Sequence, residues 1–194
     1  MPTEIKHFIA QCVRESVAVK NETLQDNLEI VIKIVREITT SLKKGGKVIL
    51  FGNGGSAADS QHIAAEFIGR FKKERKSLSA VALTTDTSIL TALSNDYGYD
   101  IIFARQIEGL GKRGDIAIGI STSGNSKNVI EGVRVAKKMG IKTVSFTGSG
   151  GGKLAQLCDY NLMVPSANTA RIQEAHICFF HIICELVENN FYKK

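Results

Sequence analysis

Residues 47–66, KVILFGNGGSAADSQHIAAE, contain an apolar run, a cluster of glycines and a stretch with helical character in direct succession. The apolar run KVILFG (47–52) shows little alternation of apolar and polar residues, which is typical of a strand covered on both faces. The glycines end that strand, and the residues from Ser56 onward begin a helix. This order of strand, tight turn and helix indicates the repeating unit of an α/β protein.

Four more apolar runs follow the first: SAVAL (79–83), DIAIGIS (115–121), KTVSFTG (142–148) and the weaker YNLMVP (160–165). Helical patterns separate them, and the clearest is NSKNVIEGVRVAKKMG (125–140), which stops at Gly140. Strands that alternate with helices are joined by right-handed crossovers and pair in parallel. We therefore expect an α/β fold, a three-layer sandwich around a five-stranded parallel sheet.

Both ends of the chain are expected to be helical and to lie outside this alternation. Residues 3–44 indicate two long amphipathic helices, the second of which ends at a glycine pair. Residues 169–192 indicate one more helix, and its stretch AHICFFHIICELV is apolar on most faces. Such a helix needs more cover than one small sheet provides. We expect one domain over residues 1–194, with a helical extension at 1–44 and terminal helices that pack against other subunits.

Composition and charge argue against several classes of protein. Of the 194 residues, 43% are apolar and 23% are charged, as in ordinary globular proteins. No apolar run approaches the roughly 18 residues of a membrane span, and the polar N-terminus holds no export signal, so we expect a cytoplasmic protein with no membrane partner. The cysteines show no CxxC spacing and are interpreted as buried thiols in a reducing compartment; they are Cys12, Cys158, Cys178 and Cys184.

The formal net charge of +6 comes from scattered basic residues rather than from a continuous patch. The strongest basic cluster, RFKKERK (70–76), follows a predicted helix and precedes a predicted strand. A solvated connection explains this cluster better than a polyanion site does, so we expect no nucleic-acid partner. The positive charge still favours a small anionic substrate.

Two loops after predicted strands have the composition of phosphate sites. Asn53-Gly54-Gly55-Ser56 lets the backbone approach a ligand at a helix start, although a tight turn that needs positive φ explains it equally well. In STSGNS (121–126), Asn125 or Ser126 is enough to cap the next helix, which leaves surplus hydroxyls. A loop without lysine suits a sugar phosphate. The glycine-rich turn at 146–159 is interpreted as a flexible connection rather than as a binding loop.

Histidines and acids with the spacing of metal ligands lie on two predicted helices. His62 and Glu66 are four residues apart and share a helix face, which permits a common metal ion, a hydrogen-bonded acid–base pair or a chance surface pair. Gln173, His176 and His181 lie on the last helix. His181 within ICFFHIIC is either functional or a buried histidine bonded to a carbonyl, and His176 is taken as structural.

The segments GNGGSAADSQHIAAEF (52–67), TALSNDYGYDIIFARQI (91–107), STSGNS (121–126) and TARIQEAHICFFHIICELVE (169–188) together resemble the sugar isomerase (SIS) domain and, within it, the phosphoheptose isomerases. The resemblance covers nearly the whole chain, with its four blocks in order. It implies the flavodoxin-like strand order of that fold, and a homotetramer with active sites at subunit interfaces. It also implies conversion of sedoheptulose 7-phosphate to D-glycero-D-manno-heptose 7-phosphate, the first step of nucleotide-heptose synthesis for lipopolysaccharide or other surface glycans.

The resemblance also assigns roles to individual residues. It implies one Zn²⁺ per subunit on His62, Glu66, Gln173 and His181, with Glu66 as the catalytic base and His181 as the acid. Nickel and manganese remain alternatives to zinc. The substrate contacts that it implies are Asn53, Gly54, Gly55, Ser56, Glu66, Asn95, Asp96, Ser121, Thr122, Ser123, Ser126 and Gln173. Ala170 stands where some relatives carry a polar or acidic side chain, which leaves substrate orientation beside it in doubt.

The spacing of Gln173 and His181 raises a geometric question. Eight residues correspond to about 12 Å along a helix, whereas metal bonds are about 2 Å long. Either the helix meets the metal in an unusual pose, or two chains contribute ligands. Two alternatives to the enzyme also remain: a related non-catalytic SIS protein that binds the replication initiator DnaA, and a sugar-phosphate sensor. Neither of them needs Glu66 or the Gln173/His181 pair.

Overall fold

The computed structural model of the protein describes residues 2–192. Its strands are β1 Val48–Gly52, β2 Ala80–Ala82, β3 Ile116–Ser121, β4 Lys142–Thr147 and β5 Tyr160–Met163. Its helices are α1 Pro2–Lys43, α2 Gly55–Ile68, α3 Thr87–Tyr97, α4 Ile102–Leu110, α5 Lys127–Lys138, α6 Gly152–Leu157 and α7 Thr169–Phe191, with a 3₁₀ turn at Tyr99–Ile101 before α4. All five strands begin and end within two residues of the apolar runs that predicted them.

The five strands form one parallel sheet in the order β2-β1-β3-β4-β5. This order is the expected flavodoxin-like one. Two apolar layers flank the sheet because alternate residues of each buried strand point to opposite faces. Leu50 on β1 joins α1, α2 and α7 on one face, whereas Phe51 joins α4 and α5 on the other. The three-layer α/β sandwich predicted from the sequence is confirmed.

The N-terminal prediction of two helices over residues 3–44 is wrong, because α1 is one continuous helix of 42 residues. No glycine interrupts the segment, and its proline stands at position 2, where a helix start tolerates it. The C-terminal part of α1 packs on the sheet through buried Ile34 and Ile38. The N-terminal part carries exposed apolar side chains, among them Ile5, Phe8 and Val13, each more than half exposed.

The apolar helix α7 lies across the same face as α1 and α2, where Ala175, Phe179 and Phe180 are buried. Packing within one chain therefore explains part of the apolar composition of α7. Among residues 2–192, no helix is both long enough and apolar enough to span a membrane.

The carboxyl ends of the parallel strands bring the candidate site loops to one edge of the sheet. The 53–56 loop follows β1, and the 121–126 loop follows β3, its neighbour in the sheet. The turn after β4, predicted to be a flexible connection, packs tightly against the second loop: the amides of Gly148 and Leu154 donate to Thr122 O and Gly124 O at 2.9 and 3.0 Å. Its glycines are required because φ is positive at residues 150–152 and the backbone approaches Gly124 closely.

Candidate active site

Three side chains with metal-binding atoms meet between α2 and α7. His62 Nε2 lies 3.1 Å from Glu66 Oε1 and 3.3 Å from His181 Nε2. One ligand atom from each residue falls within 4.8 Å of the others. The side chain of His62 is 47% exposed and that of Glu66 is 23% exposed, so a small molecule can reach them from solvent. A single chain therefore assembles this trio, and no second subunit is needed to bring Glu66 to His181.

The geometry of the trio fits a tetrahedral divalent cation. With bonds of about 2.0–2.1 Å, the ligand atoms of such an ion are about 3.3 Å apart. His62 Nε2 lies at about this distance from Glu66 Oε1 and from His181 Nε2, and the remaining pair of ligand atoms is within 4.8 Å. Two imidazole nitrogens and one carboxylate oxygen are also a donor set that Zn²⁺ accepts. The facing Nε2 atoms of His62 and His181 are close enough either to share a cation or for one ring N–H to donate to the other ring.

Gln173 lies at the other end of the contact between α2 and α7. Its side-chain amide packs so closely on Gly55 that a Cβ at position 55 would overlap it. Because Gln173 meets Gly55 and His181 meets His62, the two helices run side by side in the same direction. Gln173 is then about 12 Å from His181 along the helix axis. One chain places Gln173 beside the glycine loop, where it can contact a substrate, and its role as a fourth metal ligand stays a prediction.

Three serine hydroxyls converge in the loop after β3. Ser121 Oγ lies 2.9 Å from Ser126 Oγ and 3.4 Å from Ser123 Oγ. Ser126 is the N-cap residue of α5, yet its side chain makes no capping hydrogen bond. The hydroxyls are thus turned toward one another rather than used to cap the helix. Thr122 and Ser123 also line a cavity of about 240 Å³ together with Ser149, Ser166 and Thr169.

The side chain of Asn53 connects three elements around the glycine loop. Its amide exchanges two hydrogen bonds with that of Asn128 on α5, at 2.8 and 2.9 Å. The hydroxyl of Tyr99 also donates to Asn53 Oδ1 at 3.2 Å. Sequence reasoning missed Asn128 and Tyr99. For Asn128, the available signal was an asparagine at the start of the otherwise apolar helical face that Val129 and Val133 share.

Asn95 and Asp96 lie at the exposed C-terminal end of α3, where Asn95 Nδ2 donates to Asp96 Oδ1 at 2.8 Å. Their proposed contact with substrate hydroxyls stays a prediction. In the glycine loop at 53–56, Gly54 has a φ of 56°, as the tight-turn interpretation requires, and Ser56 is buried at the first turn of α2. The contact of this loop with phosphate stays a prediction.

Asp59, one turn before His62 on α2, is a further ionisable group beside the trio that the sequence analysis did not single out. Burial raises the pKa of Asp59 to about 6, although the nearby His62 opposes that shift. Its Oδ2 atom is buried and has no hydrogen-bond partner within the described residues. An aspartate three residues before the candidate ligand His62 on the same helix was the signal available in the sequence.

His176 belongs to the protein interior, as the sequence analysis supposed. Its ring is fully buried and its Nε2 lies 3.1 Å from the carbonyl oxygen of Thr147. Burial lowers the pKa of His176 to about 4, with the bond to Thr147 opposing the shift, so the ring is neutral at physiological pH. A neutral, bonded ring is consistent with a structural role.

A cavity of about 480 Å³ lies between α3 and α4, and none of the trio residues lines it. Apolar side chains such as Ile89, Leu93 and Leu110 dominate its lining, and its charged residues, Arg105 and Glu108, pair with each other. This cavity therefore contains neither the trio nor the serine hydroxyls of the loop after β3.

Several known proteins are similar to this chain in sequence and in fold. A family model described as SIS domain matches residues 8–148. A phosphoheptose isomerase of Aquifex aeolicus is 57% identical over 180 residues, covering 93% of this chain and 94% of that protein. One of Aliarcobacter butzleri is 56% identical over 185 residues, covering 95% of each. The solved structure of a phosphoheptose isomerase from Neisseria gonorrhoeae is similar with a TM-score of 0.91 and 43% identity, over 95% of this chain and 99% of that one.

Proposed function

The chain belongs to the SIS domain family, and we propose that it isomerises sedoheptulose 7-phosphate to D-glycero-D-manno-heptose 7-phosphate. The observation that carries this proposal is the arrangement along α2. A loop suited to phosphate lies at the helix start, and His62 and Glu66 lie two to three turns further on, next to His181. The substrate carries its phosphate on one end of a seven-carbon chain and reacts at the other end.

The phosphate end of the substrate is assigned to the loops after β1 and β3. The starts of α2 and α5 offer free backbone amides and partial positive charge. The hydroxyls of Ser121, Ser123 and Ser126 add donors without a fixed charge. From Gly55 to His62 the helix advances about 10 Å, so phosphate and reacting carbons are held at separate places on one rigid element.

The reaction requires a proton to move from C1 to C2 of the sugar. Glu66 takes the C1 proton on a carboxylate oxygen and returns it to C2. His181 gives a proton to the oxygen on C2 and removes one from the oxygen on C1, which completes the exchange of ketose for aldose. A divalent cation on the trio, when bound, polarises the carbonyl and stabilises negative charge on the oxygens. Of its two ring nitrogens, His181 would hold the cation on Nε2, which leaves Nδ1 as the nitrogen that can exchange a proton.

We assign zinc to the site, one ion per subunit, on His62, Glu66 and His181. The candidate fourth ligand is Gln173 of a second subunit, because within one chain Gln173 lies about 12 Å from His181 along α7. We further propose a cytoplasmic homotetramer that makes heptose for a surface glycan such as lipopolysaccharide. The exposed apolar face at the N-terminal part of α1 supports assembly, because side chains such as Phe8 and Val13 would be covered in it. Active sites near those subunit interfaces belong to the same proposal.

A non-catalytic role in binding the replication initiator is not favoured. The relatives above are phosphoheptose isomerases at 56–57% identity over more than nine-tenths of the chain. The presence of Glu66 beside two histidines gives the chain the groups that proton transfer needs. A sugar-phosphate sensor would not need this trio.

A substrate panel tests the proposed function. The metal-loaded protein is incubated with sedoheptulose 7-phosphate, with sedoheptulose lacking phosphate, and with the six-carbon fructose 6-phosphate, and formation of aldose is followed by NMR. We expect rapid conversion of the first compound only. Equal rates with and without phosphate would contradict the role of the serine loop, and no conversion of any of them would contradict the isomerase.

Removing one hydroxyl from the serine loop at 121–126 should weaken substrate binding more than it slows turnover. We expect Ser121→Ala or Ser123→Ala to raise KM by about 10- to 150-fold, because a hydrogen bond to a charged group contributes about 1.5–3 kcal/mol. The inhibition constant of inorganic phosphate should rise in parallel. If both variants keep the wild-type KM and the wild-type inhibition by phosphate, the loop does not hold the phosphate.

A further inference from the structure

The basic segment at 70–76, which connects α2 to β2, is not simply a solvated connection as its composition indicated. Lys72 follows that interpretation, since its side chain is 59% exposed. Arg75 does not, because its side chain is only 1% exposed and is paired with the equally buried Glu188 of α7 at 2.8 Å. A buried ion pair is stable only when further hydrogen bonds satisfy both partners, so its other contacts show what the pair holds in place.

Glu188 is the anchor of the segment. Its carboxylate accepts hydrogen bonds from the backbone amides of Phe71, Lys72 and Lys73 at 2.9–3.0 Å, in addition to the one from Arg75 Nε. Burial alone would raise the pKa of Glu188, but the amides of Lys72 and Phe71, followed by Arg75, hold it below its usual value. The carboxylate is therefore charged and fixes the path of the chain directly after the metal-binding helix.

Arg75 holds the end of that helix. Its Nη2 donates to the carbonyl oxygen of Glu66 at 2.8 Å, and its Nη1 donates to the carbonyl oxygen of Phe67 at 2.9 Å. These carbonyls lie in the last turn of α2, where no helical amide remains to satisfy them. A guanidinium at this end also complements the helix dipole. The residue whose backbone is fixed in this way is the proposed catalytic base itself.

The same segment contacts the other side of the trio. The ring of Phe71 packs against His181, with ring centroids 5.5 Å apart and planes at 33°. Because Glu188 binds the amide of Phe71, it fixes the backbone from which this ring extends. The pair Arg75–Glu188, called the clamp below, thus acts on Glu66 through its carbonyl and on His181 through Phe71.

We propose that Arg75 and Glu188 are positioning residues that hold Glu66 and His181 in the geometry needed for metal binding and proton transfer. This inference rests on the proposed function of the trio. A misplacement of about 1 Å can reduce a rate by about 100-fold, and partners behind metal ligands commonly contribute about 10- to 100-fold in metal affinity. The glycine loop at 53–56, which is assigned to the phosphate, lies at the opposite end of α2, about 16 Å from Glu66. Its binding of phosphate should be little affected.

The main test compares Glu188→Gln with Glu185→Gln. Both replace a glutamate of α7 that pairs with the 70–76 segment, but Glu185 is 41% exposed and binds only the side chain of Lys72 in that segment. We expect Glu188→Gln to lower kcat by at least about tenfold while KM changes less than about twofold. Zinc affinity, measured by competition with a chromophoric chelator, should fall by at least about tenfold. Glu185→Gln should match the wild type in all three quantities.

Two further variants separate positioning from loss of the fold. Arg75→Lys keeps the positive charge beside Glu188 but loses the two guanidinium hydrogen bonds to the carbonyl oxygens of Glu66 and Phe67. Phe71→Leu removes the aromatic ring that packs on His181 without disturbing the buried ion pair. Each should lower zinc affinity by several-fold.

Ile141→Ala is the control for stability. It creates a cavity in the apolar layer on the other face of the sheet, and so provides a variant of lowered melting temperature with an intact clamp. Rescue of kcat by Glu188→Asp, relative to Glu188→Gln, would support the carboxylate as the positioning group.

The proposal is wrong if folded Glu188→Gln and Arg75→Lys bind zinc and turn over substrate within twofold of the wild type. It is also wrong if their losses equal those of Ile141→Ala at the same melting temperature, because the pair would then act only on stability. Absence of isomerase activity in the wild type would overturn the proposed function alone, since the zinc-affinity measurements test the clamp without any turnover.

Discussion

Replacing Glu66 with glutamine should lower kcat for sedoheptulose 7-phosphate by about 10²- to 10⁴-fold, the range that a positioned general base contributes. Glutamine has the shape of glutamate and still offers an oxygen next to His62, but it cannot accept the proton from C1. The phosphate contacts are remote from this side chain, so KM should change much less than kcat. Initial rates, with metal content determined on the same samples, measure the effect.

Glu185→Gln is the matched control for this experiment. It makes the same chemical change at an exposed glutamate of α7 and should leave kcat unchanged. A Glu66→Gln variant that retains more than about a tenth of wild-type kcat at equal metal content would remove Glu66 from the role of base.

Replacing His62 with alanine should empty the metal site and abolish most activity while the protein stays folded. The Nε2 atom of His62 lies within 3.3 Å of both Glu66 Oε1 and His181 Nε2. Its loss would leave the site with only two of these three candidate ligands. We expect metal content below about a tenth of the wild-type value, because a tetrahedral site with one protein ligand fewer is strongly weakened. Elemental analysis after extensive dialysis provides the measurement.

His7→Ala is the control for metal binding, since His7 is an exposed histidine of α1 that is not part of the trio. It should retain the metal content of the wild type. Unchanged metal content in His62→Ala, at an unchanged melting temperature, would show that the trio is not the metal site.

Much of the fold could be predicted because its strands are short apolar runs bounded by glycines and polar turns. The helix at the N-terminus was divided incorrectly because periodicity alone cannot place a break in a segment without a glycine or an internal proline. The strand order needed a resemblance, since the pattern KVILFG followed by SAVAL indicates parallel pairing but not which strands are neighbours.

The candidate site was predictable where its residues share one element and not where packing creates it. His62 and Glu66 share a face because they are four residues apart on α2. Their contact with His181 depends on α2 and α7 running side by side, which the sequence left open between one chain and two. The clamp joins residues 113 positions apart, and no local pattern distinguishes buried Arg75 from the exposed lysines around it.

The most direct test of this account is the conversion of sedoheptulose 7-phosphate by the wild-type protein loaded with one equivalent of zinc, followed by ¹³C NMR beside Glu66→Gln at the same metal content. Signals of a new seven-carbon aldose phosphate should appear with the wild type, and the variant should form them at least about 100-fold more slowly. Unchanged sedoheptulose 7-phosphate in the presence of folded, zinc-loaded wild type, or equal conversion by both proteins, would contradict it.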